Sequence, residues 1–183
     1  MVTLITGGVR SGKSRYALEL AERRAGQKSF LATAEALDEE MKVRIARHQA
    51  ERGGDFSTVE ESLYLARAVH EASERTELIL IDCLTLWVNN LLFHFQASPD
   101  LVTNQIRSFL DAVRERKTEM ILVTNEVGFG IIPDNVLSRR FLDQLGRMNQ
   151  ELAALADEVI LMISGIPQVI KGASVDLPMD FPL

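Results

Sequence analysis

A short apolar run, Val2-Thr3-Leu4-Ile5-Thr6, leads straight into Gly7-Gly8-Val9-Arg10-Ser11-Gly12-Lys13-Ser14. The second stretch matches G-x-x-x-x-G-K-[ST] at every fixed position, with a strand pattern before it and a helix pattern after it. Few sequence features constrain a fold more tightly. Glycines let backbone N–H groups converge on phosphate oxygens with no Cβ in the way. The following helix adds partial positive charge at the same point. In such a loop Lys13 reaches the β- and γ-phosphates and the Ser14 hydroxyl binds Mg²⁺. The motif alone does not separate ATP from GTP. The bland alternative, a glycine-rich turn without a ligand, explains neither the lysine nor the serine.

The rest of the chain supplies the matching architecture. Strand candidates fall at residues 2–6, 28–32, 57–60, 78–82, 120–124 and 158–163. Several are almost continuously apolar, the pattern of strands covered on both faces. Helix candidates alternate with them at 13–25, 36–52, 62–75, 85–95, 101–116 and 138–156. In the last, Phe141, Leu145, Met148 and Leu152 repeat at helical spacing on one face. This alternation predicts an α/β fold of the P-loop NTPase type: a mostly parallel central sheet with helices on both faces. Ligands in such sheets bind beyond the carboxyl ends of the strands. The residues to watch are therefore those after Thr6, Ala32, Glu60, Asp82 and Thr124. Leu78-Ile79-Leu80-Ile81-Asp82 reads as a strand ending in the carboxylate that supports Mg²⁺, directly or through water.

A length of 183 residues without a Pro/Gly/Ser-rich linker predicts one domain over 1–183. The single cysteine, Cys83, excludes an internal disulfide and points to a reducing, cytoplasmic setting. It reads as a small buried residue rather than a nucleophile. No apolar run approaches the ~20 residues of a membrane span. Twenty Lys+Arg against 26 Asp+Glu leave a net charge of −6, which argues against a nucleic-acid partner.

The 36–52 helix pattern places Leu37, Met41, Ile45 and His48 on one face, with Arg44 and Arg52 four residues either side of the histidine. Flanking cations would hold phosphate and lower the imidazole pKa, keeping the ring neutral and nucleophilic. On the pattern alone, a histidine closing an apolar stripe is the better reading. His70 suits a surface role, and His94, within Leu92-Phe93-His94-Phe95, suits a core edge or interface. No Cys/His spacing suggests zinc.

These blocks together resemble the bifunctional adenosylcobinamide kinase / adenosylcobinamide-phosphate guanylyltransferases of cobalamin biosynthesis. The resemblance is carried by residues 6–15, Ala32-Thr33-Ala34, Asp38-Glu39-Glu40-Met41, Arg44-Ile45-Ala46-Arg47-His48 and Glu51-Arg52. It continues through Thr58-Val59-Glu60-Glu61, residues 82–91, residues 124–133, Gly146-Arg147-Met148-Asn149-Gln150 and Ser164-Gly165-Ile166. Residues 176–183 match nothing, and the turn Arg52-Gly53-Gly54-Asp55-Phe56 departs from the family's proline and tryptophan. The resemblance implies two reactions. ATP or GTP phosphorylates adenosylcobinamide. GMP then passes from GTP to adenosylcobinamide phosphate through a guanylyl-histidine at the position of His48, releasing pyrophosphate. It implies nucleotide contacts at residues 7–14, at Ala32, Thr33 and Ala34, at Gln49, Ala50, Glu51 and Arg52, and at Glu60 and Asp82. It also implies a homotrimer. Two rivals remain on the residues alone: a plain P-loop kinase with a structural His48, and a nucleotide-controlled interaction module.

Overall fold

The structure is a computed structural model, and it describes residues 1–35, 56–96 and 98–172. Its strands are β1 (Val2–Gly7), β2 (Lys28–Ala32), β3 (Phe56–Glu60), β4 (Leu78–Asp82), β5 (Glu119–Val123), β6 (Glu158–Ile163) and β7 (Ile166–Lys171). Its helices are α1 (Lys13–Glu22), α2 (Leu65–Ser73), α3 (Leu84–His94), α4 (Pro99–Arg114) and α5 (Val136–Leu155). All strands join one sheet in the order β3-β2-β4-β5-β1-β6-β7. Every pairing is parallel except β6 with β7.

Side-chain alternation along each strand divides the core between two faces. In β4, Ile79 and Ile81 point to one face, where they pack with Leu65 and Val69 of α2, Trp87 and Leu91 of α3, Phe109 of α4 and Leu145 of α5. Leu78 and Leu80 point to the other, where they meet Tyr16, Ala17 and Leu20 of α1. Both faces of the central strands are therefore dry, which explains their unbroken apolar runs. The edge differs: among the described residues β3 pairs only with β2, and its residues 57–60 are exposed.

The expected strands at 28–32, 78–82 and 158–163 match the structure end for end; β1 and β3 each gain one residue, and β5 is shifted by one at both ends. Helix ends move by up to three residues, with α2 spanning Leu65–Ser73 rather than 62–75. The stripe on α5 points inward as expected: Leu145, Met148 and Leu152 are buried, with Phe141 packed at the margin. Trp87 is fully buried against Phe109, so core packing accounts for it. The helix expected at 36–52 lies outside the described residues.

One strand is absent from the sequence reading. β7 returns antiparallel to β6 through the two-residue turn Ser164-Gly165, with Ile163 opposite Ile166. Both turn residues have positive φ, 51° and 86°, as the tight hairpin turns that match strand twist require. Ser-Gly between two apolar runs was the available signal. A proline at the second position of β7 obscured it.

Candidate active site

The carboxyl ends of four strands stand in register. Glu60 of β3 is opposite Ala32 of β2, Ala32 opposite Asp82 of β4, and Asp82 opposite Val123 of β5. Val123 in turn faces Ile5 of β1. Beyond this row the chain turns from β1 into residues 8–12 and then α1. Residues far apart in sequence are thus collected on one edge, as the parallel topology requires.

The loop is built on positive-φ residues. Gly7, Arg10 and Gly12 have φ of 145°, 56° and 95°. Gly12 is the N-cap of α1 and supplies no side chain to its first turn. The amide groups there face the cleft rather than a capping residue, which suits an anion. Gly7 is required for a second reason: a Cβ there would lie 2.4 Å from the Met162 carbonyl oxygen of β6. The loop is braced from outside. Gly165 N donates to Ser11 O at 3.0 Å, so the unanticipated hairpin supports the phosphate loop directly. Glu126 N donates to Gly7 O at 3.1 Å, and Thr6 Oγ1 donates to the Glu126 carboxylate at 2.9 Å.

Lys13 is buried, and its ammonium donates to Gly8 O at 2.6 Å and to Ser11 Oγ at 3.5 Å. It stands on the wall of a cleft of 660 Å³ that also presents Val9, Arg10, Ser11, Gly12, Ser14, Asp82 and Asn125. The Ser14 hydroxyl and the Asp82 carboxylate thus line one space, although 68 residues separate them in sequence. Two oxygen donors facing a phosphate site suit Mg²⁺, which keeps most of its shell as water and phosphate oxygens. Among the described residues no cluster of three or more His, Cys, Asp and Glu side chains forms a metal cage.

Asn125 lines the cleft directly after Thr124, one of the strand ends singled out by the topology, although no role was assigned to it. Sequence reasoning missed Ser164 and Gly165, which line the cleft because the fold brings them there. Asn125 is held on both sides: its N–H donates to Thr85 Oγ1 at 2.8 Å, while Asn149 bridges Thr124 Oγ1 and the Asn125 carbonyl at 2.9 and 3.1 Å.

At the far end of the row the neighbouring acids separate. Glu60 is exposed at the end of β3. Glu61 folds back to accept from Leu63 N and Tyr64 N at 2.9 and 2.8 Å and pairs with Arg67 at 3.0 Å. Partial burial pushes its carboxyl up, but these donors outweigh that and hold it below its ordinary value. Thr33 is fully buried, its hydroxyl donating to Cys83 O at 2.7 Å and accepting from Cys83 N at 2.9 Å. Ala32 and Ala34 beside it are half-buried. Burial, reinforced by Asp82, pushes the Cys83 thiol up to about 12, which leaves it protonated and poorly nucleophilic. His70 is exposed, and His94 pairs with Glu35. His48, Gln49, Ala50, Glu51 and Arg52 lie outside the described residues.

Fold and loop together define a P-loop nucleotide-binding protein. The fold is shared with an ATPase from the type III secretion system of pathogenic bacteria: TM-score 0.57 at 14% identity, covering 87% of this chain and 50% of that one. A sequence model described as "Cobinamide kinase / cobinamide phosphate guanyltransferase" matches residues 3–170, and the chain belongs to that family. The Escherichia coli K12 protein named "Bifunctional adenosylcobalamin biosynthesis protein CobU" is 40% identical over 182 residues, 93% of this chain and 100% of that protein. The Pseudomonas aeruginosa PAO1 protein named "Bifunctional adenosylcobalamin biosynthesis protein CobP" is 40% identical over 172 residues, 94% of this chain and 98% of its own length.

Proposed function

We propose that this chain is a bifunctional transferase of cobalamin biosynthesis. It phosphorylates adenosylcobinamide with ATP or GTP, then transfers GMP from GTP to adenosylcobinamide phosphate, releasing pyrophosphate and forming adenosylcobinamide-GDP. Family membership supports the pair of reactions. The observation that carries the site is the shared cleft of Lys13, Ser14 and Asp82.

In this reading the polyphosphate lies on residues 7–14. Lys13 moves from the Gly8 carbonyl to the β- and γ-phosphates. Ser14 and Asp82 would hold Mg²⁺, which would supply charge neutralisation at the pyrophosphate leaving group. Ala32, Ala34 and Glu60 line the path to the other end of the nucleotide. From β1 to β2 is three strand spacings, roughly 14 Å, and β3 is one further. An extended nucleoside triphosphate laid along this edge crosses β5 and β4 to reach them.

Guanylyl transfer proceeds in two displacements. Neutral His48 attacks the α-phosphorus, forming an N–P bond as the bond to the pyrophosphate oxygen breaks. The cobinamide phosphate oxygen then attacks the same phosphorus and histidine leaves. Kinase transfer uses the γ-phosphoryl of the same loop, so a single domain serves both steps. Exposed Phe129, Ile131 and Ile132, beyond the end of β5, offer an apolar surface for the subunit contacts that the homotrimer implied by the resemblance requires. Among the described residues no helix is long and apolar enough to cross a membrane.

The test is incubation with adenosylcobinamide, magnesium and either ATP or GTP, with product masses read directly. Adenosylcobinamide phosphate is expected first, and the GDP derivative only with GTP. Nucleotide binding without either corrinoid product would favour the interaction module instead.

A further inference from the structure

The chain leaves β2 through Thr33, Ala34 and Glu35, and one face of α3 grips this exit at two points. Asn90, buried in the helix, donates from Nδ2 to the Thr33 carbonyl at 2.8 Å and lies 3.5 Å from the Ser62 carbonyl. One turn later, His94 Nε2 lies 3.1 Å from both carboxylate oxygens of Glu35. Residues four apart share a helix face, so the two contacts act side by side. Ser62 also hydrogen-bonds Glu35. Partial burial pushes the Glu35 carboxyl up, but the Ser62 and His94 contacts outweigh it and hold the carboxyl below its ordinary value. His94 sits in the last turn of α3, where the helix favours positive charge.

The Glu35–His94 contact is poorly explained as a fold stabiliser. His94 is exposed and Glu35 partly so, and such pairs add little to global stability. Its local consequence is larger. With the Thr33 hydroxyl bonded to Cys83 and its carbonyl bonded to Asn90, the Glu35 contact fixes the third point of the segment. The half-buried Ala34 lies between these two held neighbours.

We propose that Asn90 and His94 are positioning residues for the nucleotide: they hold residues 33–35 as one wall of its site and so set GTP affinity rather than the rate of chemistry. The inference rests on the reading that Ala32, Thr33 and Ala34 contact the nucleotide. Asn90 is the buried part of the device. Glu35–His94 is the outer, hydrogen-bonded part that can be removed without opening the core.

The experiment titrates a fluorescent GTP analogue and measures steady-state GMP transfer for the wild type, H94A, H94Q, E35Q and N90A, with H70A as a surface control. H94A and E35Q are expected to raise Kd and KM for GTP about three- to fivefold, the scale of one exposed pair. Their kcat should change less than about twofold, with the thermal midpoint unmoved. H94Q, which keeps a side-chain N–H donor, should recover most of the loss. N90A should raise KM about tenfold or more, because it leaves the buried Thr33 carbonyl without this donor. Unchanged KM in both H94A and E35Q would overturn the proposal even if N90A fails to fold, as would an equal rise in H70A. A wild type that binds no GTP would instead overturn the nucleotide reading, and this inference with it.

Discussion

The ammonium of Lys13 lies 2.6 Å from the carbonyl oxygen of Gly8, five residues earlier on the same loop. The cation is thus held over its own loop, on the wall of the cleft where the proposed phosphates would lie. Replacing it with alanine removes the charge and leaves the loop backbone in place. K13A is expected to fold normally and to lose about 10²–10³-fold in both transfer rates, the scale of one transition-state donor. Steady-state assays of each reaction check this, and unchanged rates would remove the loop from the mechanism.

Covalent catalysis at His48 predicts a protein-bound intermediate. With GTP labelled at the α-phosphorus and magnesium present, the chain should acquire label that is labile in acid and stable in alkali, as a phosphoramidate is. H48A should acquire none while still binding GTP. Full labelling of that variant would reassign the nucleophile, and absence of label in the wild type would favour a plain kinase.

Ser14 and Asp82 share a cleft wall, so metal dependence should pass through both. D82N is expected to raise the Mg²⁺ concentration for half-maximal activity by roughly tenfold or more. Excess chelator should abolish both reactions in the wild type. A D82N enzyme with an unaltered magnesium curve would show that Asp82 does not support the ion.

Two glycines make opposite predictions for stability. A Cβ on Gly7 would meet the Met162 carbonyl at 2.4 Å, so G7A must displace β6 or the loop. Gly146 lies in α5 with nothing within 4 Å of its would-be Cβ. G146A should stabilise by about 0.5–1 kcal/mol through helix propensity, raising the thermal midpoint by about 1–4 °C at this size. Calorimetry of both variants checks the pair.

Cys83 should resist alkylation at pH 8 in the folded protein and react on unfolding. Its thiol moves from an ordinary 9.0 to about 12 in the fold. Below pH 9 both states keep the proton, and the group costs nothing. As pH rises from 9 toward 12 only the unfolded state releases it, so stability falls across that window. Tyr16, raised mainly by burial, acts in the same direction. Denaturant midpoints measured from pH 8 upward should decline, and C83A should decline less steeply.

The phosphate loop was legible because its chemistry is local: one stretch of backbone binds the anion, and its residue types follow from that. The α/β class was legible from periodicity, since β4 is apolar on both faces and α5 carries one inward stripe. Glu60 and Asp82 close two of the expected strands, where the topology puts ligands; the resemblance supplied the nucleotide role of Glu60. Asn125 follows Thr124, a strand end the topology had singled out, but its own role was not legible. Ser164 and Gly165 were not legible as parts of the site, because their role comes from standing beside a loop over a hundred positions away. The hairpin of β6 and β7 escaped for a related reason: its turn signal is weak, and its purpose, bracing Ser11, exists only in the folded chain.

By itself the sequence determined the ligand class, the layer architecture and the strand ends where the ligand belongs, because each depends on local backbone chemistry and on the period of apolar residues. Tertiary structure decided which carboxylates and amides share a wall, and which do not. It folded Glu61 back onto the amides of Leu63 and Tyr64 while leaving Glu60 on the rim, buried the Thr33 hydroxyl against Cys83, and brought His94 to Glu35. Those choices depend on strand order and on hydrogen bonds closed across long loops, which no local pattern encodes.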